Sequence, residues 1–189
     1  MLKREQSALV LVDIQGKLAS LMHEHQALYR QLRILIQGVQ ALQLPILWLE
    51  QYPKGLGPTI SEVAELLGEQ EPLAKTCFSA CGLNNFQDQL REIGRRQVLL
   101  SGIETHICVY QSARDLLDAG YQVEVVSDAV SSRTAENKAL GLQRMAQAGA
   151  KITSVEMCLF ELLKQAGTPE FKTIARLVKW TVELPPDPA

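Results

Sequence analysis

Five short apolar runs, set apart by stretches of helical period, constrain this chain more than anything else in it. They are ALVLVDI (8–14), PILWLEQ (45–51), QVLLSGI (97–103), YQVEVVSD (121–128) and KITSVEM (151–157). Their apolar residues are near-continuous rather than alternating, so a sheet built from them has both faces covered. Between the runs, Leu28, Leu32, Leu35, Ile36 and Val39 share one face of a helix over 27–43. Leu83, Phe86, Leu90 and Ile93 do the same over 83–94, where Gly94 stops the helix. ICVYQSARDLLDAG (107–120) ends at Gly120, and TAENKALGLQRMAQAG (134–149) starts on a Thr134 cap and ends at Gly149. Strand–helix alternation of this kind predicts an α/β fold, a parallel sheet with helices on both sides. EQYPKGLGPT (50–59) reads as a loop. The chain is expected to form one domain over 1–182, with ELPPDPA (183–189) a disordered tail.

Composition serves mainly to exclude. Hydrophobic residues make up 47% and charged residues 21%, and the formal net charge is -2. That balance supplies no field for nucleic acid or an anionic membrane. No apolar run approaches the ~18 residues of a membrane span, and the first run reaches Asp13 too soon for a signal-peptide core. The expected compartment is the cytosol. Cys77 and Cys81 form C-x3-C, with no second Cys or His pair at a zinc spacing. His23 and His25, in the polar stretch MHEHQ, read as a solvated helix entry. No G-x-G-x-x-G follows the first strand, which argues against a dinucleotide. No metal or cofactor is expected.

Parallel sheets bind ligands beyond the carboxyl ends of their strands. Asp13 ends the first apolar run, Glu50 and Tyr52 the second, and Asp128 the run at 121–128. Glu104 and Cys108 follow QVLLSG, and Lys75 lies in EPLAKTCFSA, a short strand or extended loop. Cys108 sits near a helix start, where free N–H groups and the helix dipole lower a thiol pKa. The same place suits a small buried packing residue. Asp13 fits a general base, a metal ligand or a cap for the turn at Gln15 and Gly16. Together the three residues make a workable set: a carboxylate takes the thiol proton, the thiolate attacks a carbonyl, and a lysine balances the charge.

ALVLVDIQ, KTCFSA and SGIETHICV resemble the three signature segments of the isochorismatase-like cysteine hydrolases, over roughly residues 7–160. That superfamily includes nicotinamidases and N-carbamoylsarcosine amidases. EQYPKGLG and GIETHICV are similar to segments of its small isochorismatase-domain proteins. The resemblance implies a Rossmann-like three-layer α/β/α sandwich with a six-stranded parallel sheet. It implies catalytic roles for Asp13, Lys75 and Cys108, and a cis peptide at Ile103–Glu104. The backbones of Glu104 and Cys108 would hold the oxyanion, and homo-oligomers are expected. Nicotinamidases hold a metal through D-x-H after the second strand, where this chain reads LEQYPKG without a histidine. Isochorismatases proper lack the nucleophilic cysteine that Cys108 supplies. The implied activity is therefore hydrolysis of a small amide-like C–N substrate through a Cys thioester, with the physiological substrate unassigned. A non-catalytic oligomeric scaffold or binding protein on the same fold is the alternative.

Gln15, Tyr52, Phe78 and His106 are expected around the substrate pocket, with Gln15 also placed to orient Asp13. Trp48 is assigned to the core, Cys77 and Cys81 to packing, and Asp128 to a turn or cap. Glu104 either contacts substrate or caps the helix after it. MCLFELL (157–163) and IARLVKW (174–180) supply an interface or core.

Overall fold

A computed structural model describes residues 1–179. The tail predicted over 183–189, the end of the predicted domain and the last residue of IARLVKW lie outside the described residues. Six parallel strands form one sheet in the order β3-β2-β1-β4-β5-β6. They are β1 (Ser7–Val12), β2 (Ile46–Gln51), β3 (Leu73–Lys75), β4 (Gln97–Ile103), β5 (Gln122–Ser131) and β6 (Lys151–Thr153). The helices in chain order are α1 (Gly16–Ser20), α2 (His25–Ala41), α3 (Pro53–Leu56), α4 (Ser61–Leu67), α5 (Asn84–Ile93), α6 (Tyr110–Asp118), α7 (Ala135–Gln147), α8 (Val155–Leu163) and α9 (Pro169–Lys179).

All six residues of β1 are buried. Its alternate side chains feed two separate cores, as the pleat requires. Leu9 and Leu11 pack with Leu32, Leu35 and Ile36 of α2, Val63 of α4 and Leu159 of α8. Val10 and Val12 pack with Phe86 and Leu90 of α5, Val109, Ala113 and Leu116 beside and on α6, and Met145 of α7. The result is the three-layer α/β/α sandwich that the sequence predicts. Phe86 and Leu90 are essentially inaccessible to solvent, and burial of each stabilises the fold by about 1.5–3 kcal/mol. Gly94 ends α5 in the left-handed conformation, φ 68°. Thr134 caps α7 by accepting from Asn137 N.

Two boundaries depart from expectation. KITSVEM is not one element: β6 stops at Thr153, and Ser154 caps α8 by accepting from Met157 N. β5 runs past Asp128 to Ser131 because its register slips, with Leu100 facing Val125 but Gly102 facing Val130. Asp128 therefore lies inside the strand, where its Oδ1 accepts from Val155 N at the head of α8, 2.9 Å away. EQYPKGLGPT is also more than a loop, since α3 forms within it. The chain winds one way from β1 to β3 and the other way from β4 to β6. The crevice at the carboxyl ends of β1 and β4 is thus the switch point of the sheet.

Candidate active site

Asp13 is the first residue beyond β1, with φ 55°. Its side chain is 3% exposed. Lys75 is the last residue of β3, two strands away, with a side chain that no solvent reaches. Their charges meet at 2.7 Å, Nζ to Asp13 Oδ2. Nζ also lies 2.6 Å from Gln51 Oε1, 3.2 Å from the Cys77 carbonyl and 3.1 Å from the Phe78 carbonyl. Asp13 Oδ1 is buried and has no hydrogen-bond partner of its own among the described residues. α1 is preceded by Gln15 and has no side-chain cap, so Asp13 does not act as a cap there.

Cys108 arrives from β4 through a turn with two unusual features. The Ile103–Glu104 peptide is cis. Thr105–Val109 then forms a single π-helical turn, closed by Val109 N on the Glu104 carbonyl at 3.3 Å, before α6 begins. Two glycines let the backbone come this close. Gly102 has φ 121°, and a Cβ there would lie 2.1 Å from the Val12 carbonyl oxygen. A Cβ on Gly141 of α7 would lie 2.9 Å from His106 N. Cys108 is 7% exposed and sits beside Asp13, close enough for each group to shift the other's pKa.

The electrostatics correct one expectation. Position near a helix start predicts a thiol of lowered pKa, but the Cys108 thiol is pushed up to about 12. Burial is the main cause, and the negative charge of Asp13 adds to it, while Lys75 pulls the other way. Cys108 also lies in the π turn that precedes α6, rather than in its first turn. Asp13 is raised too, chiefly by burial, with Lys75 opposing and the charge of Glu50 adding a little. At rest the site holds a neutral thiol next to a carboxylate that is more basic than usual.

The four expected pocket residues fall in two groups. Tyr52 and Phe78 are 55% and 54% exposed, on the loops that follow β2 and β3. Gln15 is fully buried and its carboxamide is spent on backbone: it accepts from Gln51 N at 2.6 Å and donates to the Gln51 and Gly57 carbonyls at 3.1 and 2.7 Å. It ties the ends of β1 and β2 together and makes no hydrogen bond to Asp13. His106 Nδ1 pairs with Ser132 Oγ at 2.9 Å. Trp48 packs in the core with α2 and α8. Cys77 and Cys81 are half-buried free thiols. Glu104 makes no side-chain cap. Its Oε2 accepts from Arg133 N at 3.1 Å and Arg133 Nε at 3.2 Å.

The residues at the carboxyl end of β2 do not fit a metal. Glu50 Oε1 is committed to Thr59 N and Oγ1, at 2.6 and 2.8 Å. Gln51 is committed to Lys75, and no imidazole stands nearby in the chain. Among the described residues, no group of three His, Cys, Asp or Glu is placed to hold one. Gln51 and Arg133 are the residues that sequence reasoning missed. The only signal for Gln51 was its place at a strand end, and nothing in the sequence points from Arg133 to Glu104.

Residues 7–157 match the model of the isochorismatase domain. The secreted isochorismatase effector Isc1 of Phytophthora sojae is 38% identical over 179 residues, which span 92% of this chain and 84% of that one. Among solved structures, MAR1 ribonuclease from Caenorhabditis elegans superposes with a TM-score of 0.88 at 37% identity, covering 97% of this chain and 94% of that one. The YcaC gene product of Escherichia coli, an octameric hydrolase of unknown specificity, shares the fold with a TM-score of 0.87 at 22% identity, covering 95% and 94%.

Proposed function

This chain belongs to the isochorismatase family, and from that premise we propose that it is a cysteine hydrolase that cleaves a small amide-like C–N bond without a metal, through a thioester on Cys108. One observation carries the reading: a buried carboxylate has one oxygen held by a buried ammonium, and it interacts with a buried thiol by charge and by a side-chain hydrogen bond. That is the arrangement a base needs when it must take a proton from sulfur and return it to a leaving nitrogen.

The steps follow from the charges. Asp13 takes the Cys108 proton as Sγ attacks the carbonyl carbon, so a thiol raised to about 12 never has to ionise on its own. The oxyanion forms against the backbone N–H groups of Glu104 and Cys108. The C–N bond breaks as Asp13 passes its proton to nitrogen, leaving the acyl group on sulfur. Water then attacks the thioester while Asp13 takes its proton. Sγ departs and regains that proton, which restores the resting pair. Lys75 keeps Asp13 ionised between steps. Tyr52, Phe78 and His106 border the substrate in this reading.

The proposal includes a single catalytic unit, self-association and a cytosolic location. The exposed apolar side chains Met157 and Phe160 on α8 support the second, and four free cysteines support the third. The test is mass-resolved alkylation of each cysteine with iodoacetamide, followed by a screen of small amides and carbamoyl compounds. Cys108 reacting first, and losing that lead in Asp13→Asn, supports the hydrolase. An inert Cys108 would return the chain to the scaffold reading. The 37%-identical MAR1 protein is described as a ribonuclease, so RNA belongs in the same screen. A thiol–carboxylate pair is suited to acyl transfer, and a chain of net charge -2 offers a polyanion little attraction.

A further inference from the structure

Lys75 is more fully satisfied than a substrate-binding lysine should be. An ammonium has three N–H donors and no acceptor. Around this one stand four oxygens, at 2.7, 2.6, 3.2 and 3.1 Å. Asp13 and Gln51 take one proton each, and the Cys77 and Phe78 carbonyls share the third. No donor remains for a ligand. Two of the four oxygens belong to the backbone and one to the base itself, so Gln51 supplies the one side-chain oxygen among the four that does not belong to the base.

Gln51 is itself held at every polar atom. Its Nε2 donates to the Thr76 carbonyl at 2.7 Å, which fixes Oε1 as the atom facing Lys75. Its backbone N donates to Gln15 Oε1 and its carbonyl accepts from Gln15 Nε2. A glutamine pair therefore links the ends of β1, β2 and β3. The amide is neutral, so it can aim an ammonium without competing for its charge, as a carboxylate there would.

We propose that Gln51 is a positioning residue for Lys75: it holds the ammonium on Asp13 and closes its last donor site, so that Lys75 acts on the reaction only through Asp13 and Cys108 and never touches the substrate. This rests on the cysteine-hydrolase reading for its role in turnover, but not for its effect on the lysine.

The full-length protein is tested as Gln51→Leu, Gln51→Glu, Lys75→Ala and Gln51→Leu/Lys75→Ala, with two readouts. The first is the rate of Cys108 alkylation by iodoacetamide against pH. Gln51→Leu is expected to slow it by about tenfold to a hundredfold, the range spanned by loss of one hydrogen bond to a charged group, and to move the acid limb to higher pH. The double variant should be no slower than Lys75→Ala, because Gln51 has nothing left to position. The second readout is the NMR signal of the 15N-labelled Lys75 ammonium, which a buried and fully bonded group shows and a loosened one loses. It should shift or vanish in Gln51→Leu and shift in Gln51→Glu, which keeps the size and an acceptor and so remains informative if the leucine variant fails to fold. Additive rates together with an unchanged ammonium signal would overturn the proposal. An unreactive Cys108 in the unaltered protein, with an ammonium signal that still responds to Gln51, would remove the hydrolase reading and leave the positioning role standing.

Discussion

Replacing Lys75 by methionine removes the ammonium while keeping an unbranched apolar stem in its place. Asp13 is then left 3% exposed with no countercharge. Removing one partner of a buried ion pair costs about 3–5 kcal/mol. Without that countercharge nothing opposes the effect of burial, so the Asp13 pKa rises further. The sign is set by linkage. Burial already lifts Asp13 above its ordinary value, so the folded protein binds this proton more tightly than the unfolded chain does. The cost therefore appears as pH rises from the unfolded value near ~4 through the folded one. Lys75 pulls that pKa down, so its loss widens the window. Urea unfolding of both proteins, at one protein concentration and at about pH 5 and about pH 8, measures the difference. The deficit of Lys75→Met should grow from the lower pH to the higher, toward the full amount as the pH passes the folded-state pKa of Asp13. That is a fall in midpoint of about 2 M for an m of about 2 kcal/mol/M. Adding Asp13→Asn should recover most of it. An equal deficit at both pH values, or one below about 1 kcal/mol at the higher, would show that no buried carboxylate depends on the lysine.

On the proposed mechanism Asp13→Asn removes the base, so turnover and selective Cys108 alkylation should drop by about 10²–10⁴-fold with the fold intact by circular dichroism. In the unaltered protein, alkylation should fall with decreasing pH through the raised Asp13 pKa, an acid limb lying above that of an ordinary carboxylate. Glu50→Gln keeps an acceptor for Thr59 but deletes a charge that raises Asp13, so this limb should move to lower pH. Gly102→Ala would bring a Cβ to 2.1 Å from the Val12 carbonyl, a backbone clash expected to cost more than about 3 kcal/mol and visible as lost soluble yield and a lowered Tm. Gly141→Ala presses instead on the π turn, and should change the Cys108 alkylation rate more than it changes Tm.

The longer strands were legible because each is a buried run bounded by polar residues or a glycine. β3 was left between strand and loop for a physical reason: its three residues, Leu73–Lys75, end on a charge, and only the neighbouring β2 makes them a strand. The slip in β5 was invisible because it depends on what β4 presents opposite. The positions of Asp13 and Cys108 could be read from strand ends, yet the pKa of Cys108 could not. The sequence offers the helix start, but the burial that outweighs it is a product of the folded chain. Gln51 escaped notice for a similar reason. Its partners lie 24 residues on, at Lys75, and 36 residues back, at Gln15, and only a sheet ordered β3-β2-β1 brings the three together.

On the proposed mechanism, that order also decides when in the life of the molecule the thiol becomes reactive. The ammonium rides on an outer strand of three residues, paired on one side alone, while the carboxylate it serves belongs to a central strand, 62 positions earlier. Outer strands with few backbone bonds open and reclose far more often than the middle of a sheet. Each such excursion would strip Asp13 of its partner while displacing Leu73 from the edge of one apolar layer, and a lone buried carboxylate takes up a proton. The proposed mechanism therefore expects competence to be acquired late during folding and lost early during denaturation. On heating, reactivity at Cys108 should fade while the helices still register as native, and a chain whose outermost strand has not docked carries a silent thiol rather than a misdirected one.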